Sequence, residues 1–379
     1  MTSNWPSATL ADLTESDRPI TYGVVKPGEE VEGGVAFVRG GDLVQGHVSL
    51  DALRTICPQL SQTYKRTLLK GGELLVSLVG NPGEVAIAPS ILDGANIARQ
   101  VGLVALRAEF DAKFFMYFLM SPRGKAELFS RIGGAVQQVI NLADLKTIVV
   151  PLPSKNEQTK IASILSAYDD ITANNHHRMR LLEESARLLY REWFVRLRFP
   201  GYEHTPIVDG VPQGWIRKTL GDSVTLNYGK ALKAEIRVEG EYPVYGSSGI
   251  VGSHEKPLVS GPAIILGRKG NVGSVFWSDK AFHPIDTVYF VSPESSSLYL
   301  FYALKHMHFI STDVAVPGLN RDFAYSRLLL HPSTTLLHSF HETVLPIHAQ
   351  LDKLGEANQK LRAARDLLLP RLMSGELAA

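Results

Sequence analysis

The sequence holds one cysteine, Cys57. A lone thiol forms no internal disulfide and builds no cysteine metal cluster, so nothing here asks for an oxidising compartment. No apolar run approaches the ~20 residues of a membrane span. Met1–Leu13 is polar, without the basic start and apolar core of an export signal. A cytoplasmic protein with no membrane partner is expected. Charge of one sign is missing too: the formal net charge is +1 over 379 residues. Residues 1–150 carry 14 Lys+Arg against 15 Asp+Glu, and residues 199–330 carry 12 against 12. Only residues 155–198 lean basic, with 8 against 6. Proteins that bind nucleic acid are often basic overall, so any such binding must rest on local clusters or on an assembly.

Catalytic signatures are also missing. There is no G-x-x-x-x-G-K-[ST], no H-E-x-x-H and no G-x-S-x-G. The one Asn-Pro step, Asn81-Pro82-Gly83, lacks the aromatic residue of an amino-methyltransferase N-P-P-[FY] motif. His176 and His177 are adjacent, and neighbours on a helix point about 100° apart, which favours a solvated pair over a metal site. Asp169-Asp170 is expected on an exposed helix face. No catalytic residue and no metal ligand is assigned.

What the chain does contain is one plan used twice. Its length suits two domains. From Glu157, apolar residues recur three and four apart: Ile161, Leu165, Tyr168, Met179, Leu182, Ala186, Leu189 and Trp193, with Thr172 and Asn175 polar on the same stripe. Pro151 and Pro153 precede this stretch and Pro200-Gly201 ends it, which predicts a helix of about 40 residues, roughly 60 Å long. A helix of that length calls for a coiled-coil partner. An offset of 179 supplies it: Phe340, Val344, Ile347, Leu351, Asn358, Leu361, Arg365, Leu368 and Leu372. Pro346 reads as a kink or a late helix start, and Pro370 as a break in the last turn. Asn175 and Asn358 are either buried residues that fix register or solvent-exposed ones.

The segments ahead of the helices repeat as well. GGELLVSLVGNPGEVAI from Gly71 aligns with GPAIILGRKGNVGSVFW from Gly261 at an offset of 190. Each reads as strand, Gly-Asn turn, strand. The order is globular domain (1–153), long helix (154–199), globular domain (200–333), long helix (334–379). The fold class is mixed α/β (α+β) with a pseudo-twofold repeat. Coiled-coil positions are Ile161, Leu165, Tyr168, Leu182 and Leu189 on the first helix, and Phe340, Val344, Leu351, Leu361 and Leu368 on the second.

PLPSKNEQTKIASILSAYDDI followed by LLEESARLLYREWFVRLRFP resembles the central region of type I restriction-modification specificity subunits. VPQGWIRKTLGD at 211–222 resembles the entry to their second target-recognition domain, and LRAARDLLLPRLMSGEL at 361–377 their C-terminal end. ITYGVVKPGE and GGVAFVRGGDL look like the opening of a first recognition domain. The resemblance covers nearly the whole chain. It implies two target-recognition domains separated by two antiparallel coiled-coil helices, each domain reading one half of a split site in double-stranded DNA. It implies two DNA methyltransferase subunits on the outer helix faces and restriction/translocase subunits joining them. S-adenosylmethionine, ATP and Mg2+ belong to those partners, so this chain is expected to bind no cofactor.

Bases are read by side chains with paired donors and acceptors, whereas phosphate contacts position the protein. In the first domain Lys26, Lys65 and Arg66 are phosphate candidates, and Asn81, Arg99, Gln137, Gln138 and Asn141 are base candidates. Lys230, Lys233, Arg268, Lys269, Asn271, Asn320 and Arg321 are the counterparts in the second domain, with Ser247 and Ser248 in the glycine-flanked loop YGSSG. Asn81 and Asn271 serve equally as turn formers, and Gln137-Gln138 as a strand lead-in. Tyr190, Trp193 and Phe194 read as helix-end packing. Two rival functions are a self-contained methyltransferase or restriction enzyme, which needs a catalytic motif, and a coiled-coil scaffold for protein or sugar, which would show no salt-dependent DNA binding.

Overall fold

The computed structural model describes residues 5–133, 138–307, 309 and 318–378. The chain forms two compact units, residues 1–175 with 356–379, and residues 176–355.

In the first unit, β1 (Thr21–Tyr22), β2 (Val35–Val38), β3 (Arg54–Ile56), β4 (Leu74–Ser77), β5 (Val85–Ile87), β6 (Asn96–Ile97) and β7 (Val101–Val104) form two sheets. One is antiparallel, in the order β1-β7-β4-β5; the other, β3-β2-β6, joins an antiparallel to a parallel pair. α1 (Ala112–Met120) covers the first sheet, and Asp111 caps it by accepting from the amides of Lys113 and Phe114. α1 is apolar nearly all round because Phe114 to Leu119 are all buried. α2 (Lys155–Tyr190) is 36 residues long. Ser154 and Glu157 start it with a reciprocal cap: the Ser154 hydroxyl donates to the Glu157 carboxylate at 2.7 Å, and the Glu157 amide donates back at 3.4 Å.

The second unit repeats this topology. β8 (Asn227–Tyr228), β9 (Tyr242–Gly246), β10 (Gly249–His254), β11 (Ala263–Gly267), β12 (Val275–Ser278), β13 (His283–Pro284) and β14 (Val288–Val291) give the orders β8-β14-β11-β12 and β10-β9-β13. α3 (Leu298–His306) has the nine-residue length of α1 and is capped by Ser297. α4 (Thr334–Met373) spans 40 residues. Glycine is required at matched points: a Cβ on Gly23 or Gly229 would fall 1.7 or 2.1 Å from the carbonyl oxygen of Ile97 or Ile285. Thr9, at the end of the short strand Ser7–Thr9, and Asp12 form a hydrogen-bonded box, and Thr219, at the end of the strand Ile216–Thr219, forms its counterpart with Asp222. The threonine hydroxyls hold both carboxyls below their ordinary value.

Each unit is completed by stretches of both long helices. In the first, Ile161 and Leu165 of α2 and Leu369, Leu372 and Met373 of α4 join the core beneath α1. Asp169 meets Arg365 and Asn175 meets Asn358, so the helices run antiparallel there. In the second unit, Ala186 and Tyr190, the π-helical turn Arg191–Val195 and Phe340 and Val344 of α4 pack against Tyr299 and Tyr302 of α3.

Two expectations change and one open alternative closes. α4 neither starts late at Pro346 nor breaks at Pro370, but is helical from Thr334 through Met373. A proline removes one amide donor from the ladder, and burial of Phe340, Val344 and Leu354 keeps the helix together around that gap. Asp169 is buried rather than exposed, because the Tyr117 hydroxyl donates to it at 2.6 Å and the Arg365 guanidinium at 2.5 Å. Finally, the amides of Asn175 and Asn358 are buried and bonded to each other at 2.9 Å, which makes them register-fixing rather than solvated. Burial tends to lower the basicity of the Arg365 guanidinium, but Asp366 and Asp169 outweigh it and keep the group charged.

Of the coiled-coil positions, Ile161, Leu165, Phe340 and Val344 are buried, while Tyr168, Leu182, Leu189, Leu351, Leu361 and Leu368 are half-buried. Ala186, Tyr190, Phe194, Leu354, Leu369, Leu372 and Met373 lie deeper than those. No helix is long and apolar enough to cross a membrane.

Candidate nucleic-acid interface

In the second unit, the loop from Gly267 to Ser274 is closed by its own backbone. The Gly267 amide donates to the Ser274 carbonyl at 2.7 Å, and the Gly273 amide to the Gly267 carbonyl at 3.0 Å. Gly270 and Gly273 have φ of 77° and 79°, which explains the spacing of glycines. The hairpin turn at Ser247 and Ser248 is stitched to this loop: the Asn271 amide donates to the Ser247 hydroxyl at 3.4 Å and the Ser274 hydroxyl to the Ser247 carbonyl at 2.5 Å. Asn271 is exposed on that turn.

Arg268 leaves the loop half-buried. Its guanidinium sits 5.0 Å from the Tyr228 ring centroid and 5.7 Å from that of Tyr289, and its Nη1 donates to the Asp286 carbonyl at 2.9 Å. Arg321 lies 5.1 Å from the same Tyr228 ring and 5.9 Å from Tyr325. Rings fix guanidiniums by stacking and cation–π attraction, worth about 0.5–2 kcal/mol each. The Tyr289 hydroxyl donates to the Leu319 carbonyl at 3.1 Å, and burial raises its pKa, so it remains a neutral donor. Arg268, Arg321, Tyr228 and Tyr289, with exposed Lys269, line an open cleft of about 250 Å³. Asn320 is at its rim, and its side-chain oxygen accepts from the amides of Asp322 and Phe323. Lys230 and Lys233 are exposed on the chain after β8.

The same place in the first unit is built from the same main-chain bonds. The Leu78 amide donates to the Gln100 carbonyl as Arg268 does to Thr287, and Leu78 accepts from Ile140 as Arg268 does from Leu319. The bridge Val79–Val139 matches Lys269–Gly318. The side chains differ: Leu78 and Leu145 crowd over Gly102 where the second unit has Arg268 and Tyr289. Lys26, Lys65, Arg66, Asn81, Arg99, Gln138 and Asn141 are all exposed. The amide of Asn141 donates to Asp144 at 3.3 Å. Gln137 lies outside the described residues. Sequence reasoning missed Tyr228 and Tyr289; the available signal was a tyrosine at a strand end beside a required glycine, Tyr228-Gly229.

His176 and His177 are exposed on α2, and no group of three or more His, Cys, Asp or Glu that could hold a metal occurs among the described residues. Tyr190 and Phe194 are buried against Tyr299 and Phe340.

Two equivalent mixed units, each closed by parts of two long helices and differing in side chains at an equivalent loop, define a paired-domain recognition protein. The model of the type I restriction modification DNA specificity domain matches residues 3–184 and 212–323, and the chain belongs to that family of specificity subunits, with two target-recognition domains. It is similar to the type I restriction enzyme EcoBI specificity subunit of Escherichia coli, 32% identical over 159 residues, which are 42% of this chain and 33% of that one. The MjaIX specificity subunit of Methanocaldococcus jannaschii is 25% identical over 299 residues, 69% of this chain and 68% of that one. The chain thus spans about a third of the first relative and two thirds of the second. The crystal structure of a type I restriction-modification S subunit from M. genitalium shares the fold, with a TM-score of 0.60 and 21% identity over 97% of this chain and 96% of that one.

Proposed function

We propose that each unit reads one half of a bipartite site in double-stranded DNA and directs methyltransferase and restriction/translocase subunits to it, while this chain performs no chemical step. The observation that carries this reading is the pairing of one framework with two different side-chain sets at the same place, a buried leucine at Leu78 and a cationic cleft at Arg268. A repeated frame with changed contents suits two unlike half-sites. Two copies of one methyltransferase subunit suit the helices, since Leu188 and Leu367, equivalent at the offset of 179, are both exposed, 42% and 73%. S-adenosylmethionine, ATP and Mg2+ are assigned to the partners, and the site of action to the cytoplasm.

The test is domain replacement. Residues 1–150 exchanged for the first domain of another specificity subunit should change one half of the methylated sequence and leave the other as it was, as mapped by methylated adenines across a genome. A change in both halves, or methylation without sequence preference, would defeat the reading.

A further inference from the structure

The cleft of the second unit gathers Arg268, Lys269 and Arg321 around Tyr228, with Asp322 as the acid in its lining. Two guanidiniums within 5.1 Å of one ring centroid repel each other unless something rich in acceptors enters. Their planes are oriented beforehand. Arg268 is held by Tyr228 and Tyr289 and tied at Nη1 to the Asp286 carbonyl, so its fork loses little freedom on binding. Tyr228 is 49% exposed, which leaves this assembly open to a large ligand.

We infer that this cleft is a guanine reader: Arg268, with Arg321 beside it, donates to O6 and N7 of a guanine in the major groove of the half-site that the second unit recognises. The inference rests on the DNA-reading function proposed above. A phosphate clamp is the competing occupant within the same duplex, and the comparison of the units disfavours it. Phosphates are identical in every half-site, so a clamp belongs with the features both units share. The main-chain bonds at Leu78 and Arg268 are shared, and so is an exposed tyrosine, Tyr22 standing where the second unit has Tyr228, whereas the arginine forks and Tyr289 occur in the second unit, at the places of Leu78, Leu142 and Gly102 in the first. A side chain that varies on a constant frame is where sequence is read. Arginine in bidentate contact with guanine is also the commonest specific pairing in the major groove.

The experiment selects duplexes from a random pool with the full chain and the subunits that copurify with it, for wild type, Arg268→Ala, Arg268→Lys and Arg321→Ala. Melting temperatures should stay at the wild-type value, because both arginines are partly exposed. Wild type should enrich a two-part sequence. Arg268→Ala and Arg268→Lys should each lose about tenfold or more of the guanine preference at one position of one part. Arg321→Ala should act at that position or its neighbour, and the other part should be unchanged. The lysine variant is decisive because it keeps the charge and loses the fork. Full preference in Arg268→Lys, with uniform weakening in Arg268→Ala and a salt slope lower by about one, would make the cleft a phosphate clamp and overturn the inference. Unchanged selection in all variants would remove the cleft from the DNA. A wild-type chain with no two-part preference would defeat the proposed function itself, which separates the two failures.

Discussion

Leu78 and Arg268 occupy one place in two copies of a framework, and the bonds around them are the same to the level of single amides. The backbone there is fixed by its own hydrogen bonds and by required glycines, so the same frame carries a buried leucine in one unit and a half-buried arginine in the other. A second pair of sites shows the opposite. At equivalent positions of the long helices the first unit has Asp169 and the second has His348. Asp169 takes a hydrogen bond from Tyr117 of α1 and pairs with Arg365, whereas His348 is bonded to Tyr302 of α3 at 2.9 Å among Trp277 and Phe301. Here the side chains are the fastening, one ionic and one neutral, and neither unit can borrow the other's. Loops vary without consequence for the frame; helix contacts vary only as matched sets.

The sharpest way to break this comparison is Asp169→Ala. It leaves the buried Arg365 beside only the largely exposed Asp366 and should cost about 3–5 kcal/mol. The loss should fall on the first unit: hydrogen exchange should speed up at Phe114–Leu119 while Tyr299–Leu304 keep their protection. Equal loss in both would show that the units do not open separately.

Next in size is pH. Burial pushes the His348 imidazole down to about 4 from an ordinary 6.5. Between those values the unfolded chain holds a proton that the folded one does not, so stability rises with pH and is lost as pH falls from 6.5 towards 4. The contribution is on the order of 2–3 kcal/mol to the second unit. His348→Gln should flatten it in an acid titration of thermal unfolding; an unaltered profile would assign the pH dependence elsewhere.

The smallest effect concerns the amide pair. Asn358→Ala leaves the Asn175 amide buried with its partner removed and should cost about 1–3 kcal/mol. The equivalent places in the second unit hold Leu354 and Met179. The double variant Asn175→Leu with Asn358→Met copies them, and should recover most of the loss in a denaturant titration. Failure to recover would mean that the two helix crossings differ in geometry as well as in residue type.

The long helices, the offsets of 179 and 190, and the packing role of Tyr190 and Phe194 could be read from the sequence because each is a periodic or local signal. Asp169 could not. A carboxylate one residue from Tyr168 looks solvated on a helical pattern, and only the approach of Tyr117 and Arg365, distant in sequence, makes burial tolerable. The apolar spacing centres the stripe on Leu182, Leu361 and Leu368, but these lie at its rim, because the globular cores pull the buried face towards Ala186, Leu369 and Leu372. The cationic loop was visible at Arg268-Lys269, but its tyrosine floor comes from two other strands.

Leu369, Leu372 and Met373 belong to the core of the first unit, yet the ribosome reaches them only after the whole of the second. At about 5–20 residues per second, roughly 10–40 s separate Asn175 from Glu356. Through that interval the first unit is unfinished, with Ile161 and Leu165 lacking the helix that covers them in the mature fold. The part of the polypeptide made first is therefore the part completed last, and its late closure makes the arrival of one short segment the event that seals a domain already waiting for it.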